Sequence, residues 1–233
     1  MIQEAIILAG GLGTRLRSAV PDMPKCMAPV AGKPFIAYVI DYCRSQGIER
    51  FIFSLGYKHE LISEFIASAY PGLACRRVIE EEPLGTGGAI KKACEKAAGQ
   101  NVLALNGDTF FKADIQSLNK FHQDNGADCT LTLKPMINSD RYGIVEIGPD
   151  HSIRSFKEKQ FYANSLINGG VYLLNAQRFL EEDLPQKFSF EKDYLEALFA
   201  ERKIYGFIQD AYFIDIGIPE DFRKAQRELP ANI

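Results

Sequence analysis

Two hydrophobic periods alternate along the first hundred residues. Ala5-Ile6-Ile7-Leu8-Ala9 is a continuous apolar run, the length of a strand buried on both faces, and it stops at Gly10, Gly11 and Gly13. Residues 34–46 place Phe35, Ile36, Val39, Ile40 and Cys43 at helical spacing, opened by Pro34 and closed by Gly47. Phe51-Ile52-Phe53-Ser54-Leu55 reads as a strand again, and residues 58–69 return to helical spacing through Leu61, Ile62, Phe65 and Ile66. Val78-Ile79 marks a third strand, residues 87–98 a small-residue helix, and Val102-Leu103-Ala104-Leu105 a fourth strand. This alternation implies right-handed βαβ units: an α/β, Rossmann-like fold with a mostly parallel central sheet flanked by helices.

The pattern changes after about residue 112. A helix over Asp114–Asp124 ends at Gly126, and four strand-like segments follow closely, at 128–134, 142–147, 152–158 and 166–174. Residues 190–201 look helical, 203–208 and 212–216 look like strands, and Pro219 opens a last helix. No repeat, low-complexity tract or flexible linker divides the chain. The expectation is one domain over 1–233, with a nucleotide-binding half over about 1–112 and a β-rich, sugar-binding half over about 113–233.

Composition narrows the class without changing that picture. The 233 residues are 46% hydrophobic and 24% charged, which is enough apolar material for a full core. A net charge of −3 argues against a nucleic-acid surface, so a polyanionic ligand must be held by a few local cations. The five cysteines (Cys26, Cys43, Cys75, Cys94, Cys129) form no C-x-x-C pair and do not cluster with His59, His122 or His151, so a disulfide framework or zinc site is a poor fit. No apolar run approaches the ~20 residues of a membrane span. The expectations are a cytoplasmic protein, small-molecule partners, and neither nucleic acid nor membrane. A homo-oligomer is compatible with the sequence, which does not set the assembly state.

The chemistry concentrates where the first strand empties. Successive N–H groups of a glycine-rich loop form a concavity for phosphate oxygens, and Arg15 and Lys25 add charge nearby. Two common phosphate motifs are excluded. A dinucleotide fingerprint needs glycine where Leu16 stands, and a P-loop around Gly32-Lys33 needs Ser or Thr at Pro34 and glycine at Met27. Ligands of open α/β sheets gather at the carboxyl ends of strands, so this loop and Asn106-Gly107-Asp108-Thr109 should share a crevice.

The run Leu8-Ala9-Gly10-Gly11-Leu12-Gly13-Thr14-Arg15-Leu16, with Pro24-Lys25 and Gly32-Lys33-Pro34, resembles the sugar-1-phosphate nucleotidyltransferases. Further segments match in the same order: Glu82-Pro83-Leu84-Gly85-Thr86-Gly87-Gly88, Asn106-Gly107-Asp108, Arg141-Tyr142-Gly143, Phe156-Lys157-Glu158-Lys159, Asn168-Gly169-Gly170 and Asp215-Ile216-Gly217. The resemblance implies that a sugar 1-phosphate attacks the α-phosphate of a nucleoside triphosphate and pyrophosphate leaves. Such a reaction needs preorganised cations, backbone N–H groups and Mg²⁺ rather than a strong base. By resemblance, Arg15, Lys25 and Asp108 are the catalytic residues. Leu8, Gly10, Gly11, Gly13, Thr14, Arg15, Glu80, Glu81, Gly85, Thr86 and Gly107 are expected to bind the nucleotide. Tyr142, Gly143, Glu158, Lys159, Asn168 and Gly169 are expected to bind the sugar phosphate, and Asp108 and Asp215 to hold Mg²⁺.

Within that family, Arg17-Ser18-Ala19-Val20 stands where many members carry Pro-Leu-Thr. The combination with Met27-Ala28-Pro29, Leu105 to Phe111 and Ile167-Asn168-Gly169-Gly170 looks most like the D-glycero-α-D-manno-heptose 1-phosphate guanylyltransferases. A carboxylate can accept both N1–H and the 2-amino group of guanine, which makes Glu80 or Glu81 a candidate for base choice; main-chain contacts from Leu8, Gly10 or Gly85 could do the same. The alternatives are mannose 1-phosphate with GTP, a hexose 1-phosphate with UTP or dTTP, a glycosyltransferase, and a non-catalytic nucleotide-sugar-binding relative. Against the glycosyltransferase stands the lack of Asp-x-Asp around Asp108. The joint presence of Lys25, Asp108 and Asp215 counts against the binding module.

Overall fold

The computed structural model describes residues 1–233 apart from 12, 14, 15, 17–19, 140 and 158–160. In chain order the first half contains β1 (Glu4–Ala9), a one-turn 3-10 helix (Lys25–Met27), β2 (Pro29–Val30), β3 (Lys33–Pro34), α1 (Phe35–Ser45), β4 (Arg50–Leu55), α2 (His59–Ala69), β5 (Ala74–Ile79), α3 (Gly85–Cys94) and β6 (Asn101–Asn106). The second half contains β7 (Thr109–Phe111), α4 (Ile115–Asp124), β8 (Cys129–Ser139), β9 (Ile144–Ile147), β10 (Ile153–Lys157), β11 (Tyr162–Asn175), α5 (Ala176–Glu181), a π-helical segment (Phe190–Glu196), β12 (Ile204–Ile208), β13 (Phe213–Asp215) and α6 (Pro219–Glu228).

Strand β1 lies between β4 and β6, parallel to both, and β5 extends the parallel order beyond β4. Its continuous apolar sequence is explained by cover on both faces. Ala5, Ile7 and Ala9 pack with Phe51, Phe53, Leu103, Leu105 and the buried side of α1, whereas Ile6 packs with Ile52, Val102, Ala104 and the buried side of α3. The register pairs Leu8 with Asn106, so the glycine loop and the Asn106-Gly107-Asp108 turn leave the sheet at the same level.

The sheet is mixed rather than parallel throughout. Strand β11 runs antiparallel to β6 through Val171–Asn175 and antiparallel to β8 along most of its length, and it meets β9 at Ile167. Strand β10 is antiparallel to β9, while β12 lies parallel to β8. The two halves therefore share one sheet, nine-stranded among the described residues, with β11 as the common member. The expected strand positions hold, with β8 and β11 longer than hydrophobic alternation suggested. Strands β2, β3 and β7 and helix α5 are too short for periodicity to reveal. The helix expected within 190–201 is present, and its first part, Phe190–Glu196, is a π-helix. Ser189 caps it by accepting from Lys192 N at 3.2 Å, while Asp193 Oδ2 accepts from Ser189 N at 2.7 Å.

Candidate active site

Two strand ends and one turn bring the central charges together. Gly107 N donates to Leu8 O at 2.8 Å, which ties the exit of β6 to the exit of β1 and aims Asp108 into the crevice. Strand β13 pairs antiparallel with β7 and sets Asp215 opposite Thr109, beside Asp108; Ile216 N donates to Asp108 O at 3.1 Å. Lys25, the first residue of the 3-10 turn, places its ammonium 2.6 Å from Asp108 Oδ2 and 3.3 Å from Asp215 Oδ1. Its side chain is only 10% exposed, so the ammonium depends on these carboxylates for much of its solvation. Gly217 N donates to Asp215 Oδ1 at 2.7 Å and fixes that carboxylate.

A cavity opens on either side of the pair. One, of about 180 Å³, is lined by Leu8, Gly11, Gly13, Lys25, Gly107, Asp108 and Gly217. Gly13 has φ +57, and a Cβ there would stand 2.8 Å from Lys25 Cβ, so only glycine lets the loop pass over the lysine stem. Cys26 also lines this cavity. Burial, with a smaller contribution from Asp108, pushes its thiol up to about 12, so it stays protonated and is no nucleophile. The second cavity, of about 500 Å³, is lined by Asn106, Thr109, Tyr142, Gly143, Asn168, Gly169, Tyr172, Glu191 and Asp215, among others. Asn168 sits where the register of β11 slips against β8. Its Nδ2 donates to Tyr172 Oη at 2.9 Å and its Oδ1 accepts from Gly170 N at 3.0 Å. Tyr142 packs edge-on against Phe213 at the rim.

The remaining expected residues fall elsewhere. Glu80 Oε1 accepts from Ser54 Oγ at 3.0 Å and its Oε2 from Leu84 N at 3.1 Å, so this carboxylate braces the entry to α3 beneath Gly10. Glu81 is exposed. Gly85 and Thr86 open α3, but Thr86 Oγ1 donates to Glu191 Oε2 at 2.7 Å and accepts from Phe190 N at 2.9 Å. The glycines around Thr86 admit the Gln186–Phe188 backbone: a Cβ at Gly88 would stand 2.3 Å from Gln186 O, and Gly87 N donates to Phe188 O at 3.0 Å. The second loop is thus a platform for the segment that leads into the π-helix. Sequence reasoning missed Glu191; the signal available was a carboxylate directly after Phe188-Ser189-Phe190, where two aromatic residues flank one serine. Thr14, Arg15, Glu158 and Lys159 lie outside the described residues.

A family model described as nucleotidyl transferase matches residues 4–232. The chain belongs to the nucleotidyl transferase family. It is 53% identical to the D-glycero-alpha-D-manno-heptose 1-phosphate guanylyltransferase of Aneurinibacillus thermoaerophilus, covering 97% of this chain and 98% of that one. It is 44% identical to the enzyme of the same name from Campylobacter jejuni, over 94% of this chain and 96% of that one. The solved structure of HddC from Yersinia pseudotuberculosis complexed with GMP-PN is similar with a TM-score of 0.87 at 37% identity, covering 98% of this chain and all of that one. The fold and the branch of the family are therefore those the motifs imply.

The nucleotidyltransferase motifs converge in space as well. The glycine loop, Lys25 and Gly107 line one cavity, the Tyr142-Gly143 turn and Asn168 line the other, and Asp108 and Asp215 stand between them. The carboxylate pair suits a hard divalent cation: two oxygens are already gathered around one positive charge, that of Lys25. Among the described residues no group of three or more His, Cys, Asp or Glu is arranged to hold a metal alone. A cation here must complete its shell with phosphate oxygens and water, which is the habit of Mg²⁺.

Proposed function

We propose that this nucleotidyltransferase joins D-glycero-α-D-manno-heptose 1-phosphate to GTP, forming GDP-heptose and releasing pyrophosphate. The observation that carries this reading is the position of Lys25, Asp108 and Asp215 on the wall between two cavities, one floored by the glycine loop and one by the sugar turn. The names and full-length coverage of the relatives from A. thermoaerophilus and C. jejuni support the choice of sugar and base.

A phosphate oxygen of the sugar 1-phosphate attacks the α-phosphorus of GTP, a P–O bond forms, and the bond to the β-phosphate oxygen breaks. The nucleophile is already anionic, so the chain's task is to bring two polyanions together. The glycine loop offers main-chain N–H groups to the triphosphate, and Lys25 moves from its carboxylates toward the α-phosphate as charge grows there. Asp108 and Asp215 would hold Mg²⁺, which supplies Lewis-acid charge to phosphate oxygens when bound. Arg15 is assigned to the leaving pyrophosphate, Lys159 to the sugar phosphate, and Glu158, Gly143 and Asn168 to the sugar hydroxyls. Glu80, which also braces the entry to α3, Glu81, and the main chain at Leu8, Gly10 and Gly85 are the groups assigned to the base.

No helix among the described residues is long and apolar enough to cross a membrane, and we place the reaction in the cytoplasm. The test is pyrophosphate release with each nucleoside triphosphate against a panel of sugar 1-phosphates. Turnover with GTP and the manno-configured heptose 1-phosphate, at least about tenfold above mannose 1-phosphate, is expected. Preference for a hexose phosphate or for UTP overturns the assignment of substrate, and no turnover with any pair overturns the enzyme itself.

A further inference from the structure

The turn that shapes one side of the sugar cavity is held from behind. Residues 141–143 belong to no strand, since β9 begins only at Ile144. Two contacts of this turn reach a distant part of the chain. The Tyr142 ring packs edge-on against Phe213, with centroids 5.8 Å apart, and Arg141 Nη1 donates to Asp221 Oδ2 at 2.6 Å. The guanidinium also lies 5.5 Å from the centre of the Tyr142 ring, so this one side chain meets both its neighbour and α6.

Both partners sit on a single short stretch, 213–221, with Asp215 between them. Phe213 opens β13, and Asp221 lies in the first turn of α6, just after Pro219. This stretch is itself fixed to the Asp108 turn, because β13 pairs with β7 and Ile216 N donates to Asp108 O at 3.1 Å. Tyr142, Phe213 and Asp215 line the sugar cavity and also a smaller cavity of about 180 Å³, whose other walls include Arg141 and Asp221. The ion pair therefore stands on the far side of a wall that the two cavities share.

Its chemistry suits a fastening better than a solvated surface pair. The Asp221 side chain is 16% exposed, and the first turn of α6 offers it unpaired N–H groups and the positive end of the helix. A charge-assisted bond to a carboxylate held in this way is short and directional, unlike a bridge between two freely moving side chains. Arginine adds a planar group that can lie against Tyr142 while one N–H points at Asp221.

Resting on the reaction assigned above, we propose that Arg141 and Asp221 are positioning residues for nucleotidyl transfer: their ion pair fastens the Tyr142-Gly143 turn to the segment that carries Asp215. The groups around the sugar and the metal ligand then keep one relative geometry while two polyanions react. A misplacement of an ångström at such a centre costs about 10²-fold in rate. Both side chains act through Tyr142 and Asp215 and not on the phosphates themselves.

Two readouts test this, one of them independent of turnover. The chain has no tryptophan, so Tyr142→Trp reports on the turn alone. Adding D221N to that variant should red-shift the emission and raise acrylamide quenching as the ring leaves Phe213. Unchanged emission and quenching overturn the proposal whatever the substrates prove to be, and Arg141→Gln carries the same measurement should D221N fail to fold. Activity is then measured with whichever triphosphate and sugar 1-phosphate the parent turns over in the panel. Arg141→Gln and D221N should each lower kcat/KM for the sugar phosphate at least about tenfold. Affinity for a non-hydrolysable analogue of the triphosphate, measured by calorimetry, should stay within about twofold, which a general loss of structure would not allow. The double variant should lose no more than the worse single one, because both changes remove the same bond. Additive losses, unchanged kcat/KM in the single variants, or a fall in analogue affinity in step with kcat/KM overturn the proposal as well.

Discussion

Lys25 holds the two carboxylates that the proposed reaction assigns to a metal ion. Its ammonium lies 2.6 Å and 3.3 Å from Asp108 and Asp215, so in the absence of substrate it occupies the place where a divalent cation would draw its protein ligands. On the proposed reading, Lys25 and a divalent cation would compete for the same oxygens, and a cation held by Asp108 and Asp215 would leave the ammonium available to the α-phosphate. Lys25→Met should therefore do two things that a simple loss of folding would not. It should lower kcat about 10²-fold or more, the usual cost of removing one preorganised charge from a transition state. It should also tighten Mn²⁺ binding to the nucleotide-free protein, read by the loss of the free-ion electron paramagnetic resonance signal. Weaker Mn²⁺ binding in Lys25→Met would show that the lysine supports the metal site rather than competing for it. At this scale the sequence was legible only by resemblance. Lys25 finds its partners 83 and 190 positions away, a separation no local pattern reports. Glu80 illustrates the reverse: a carboxylate that reads as a base-recognition group also accepts from Ser54 Oγ and Leu84 N, contacts no local pattern announces.

The elements that carry the site are mostly those whose period is long enough to read. Strands β1, β4 and β6 and helices α1, α2 and α4 follow directly from apolar runs and helical spacing, since each buries a full face. Short pieces such as β7 escape because a strand of two or three residues has no period, yet it is the pairing of β7 with the expected strand β13 that places Asp108 beside Asp215. The π-helix escapes because its apolar residues Phe190, Tyr194 and Leu195 satisfy an α-helical reading equally well. The second glycine loop is the most instructive case. Its glycines read as a nucleotide cradle, and in the fold they receive the Gln186–Phe188 strand of backbone that leads into the π-helix. Gly88→Ala would put a Cβ 2.3 Å from the Gln186 carbonyl oxygen and 2.9 Å from Leu84 Cβ, neither of them the far end of a flexible side chain. The expected outcome is a loss of about 1–3 kcal/mol in urea unfolding of the nucleotide-free protein, the range typical of overpacking. A loop that served only the nucleotide would show no change in that experiment, and activity alone would fall.

At the scale of the whole molecule, β11 decides how the halves are joined. It pairs with β6 of the parallel half and with β8 and β9 of the other, so the hydrogen-bonded sheet has no seam at residue 112. We expect the chain to unfold as one cooperative unit, and a strain placed anywhere in the sheet's packing should then appear in the global transition. His122 provides such a strain under acid. It lies on α4 against β8, 2% exposed, with Nδ1 2.9 Å from Thr130 Oγ1 and Nε2 buried with no partner among the described residues. Desolvation lowers its pKa from 6.5 to about 4; the nearby Asp128 opposes the shift and Arg178 adds to it. The unfolded chain therefore binds a proton below about 6.5 that the folded chain refuses until about 4. Stability is fully present above the unfolded pKa and is lost as the pH falls through that window, by at most about 3 kcal/mol at its lower end. Carboxylates such as Asp114, whose pKa is lowered by its cap on Ser117, lose their contribution only below 3.8, outside the histidine's range. His122→Asn keeps a donor for Thr130 and cannot titrate. Urea unfolding at pH 7, 6, 5 and about 4.5 should fall steadily for the parent and stay nearly level for His122→Asn, each as a single transition. Parallel slopes for the two proteins would assign the acid limb to other groups, and two separate transitions would show that β11 does not bind the halves into one unit.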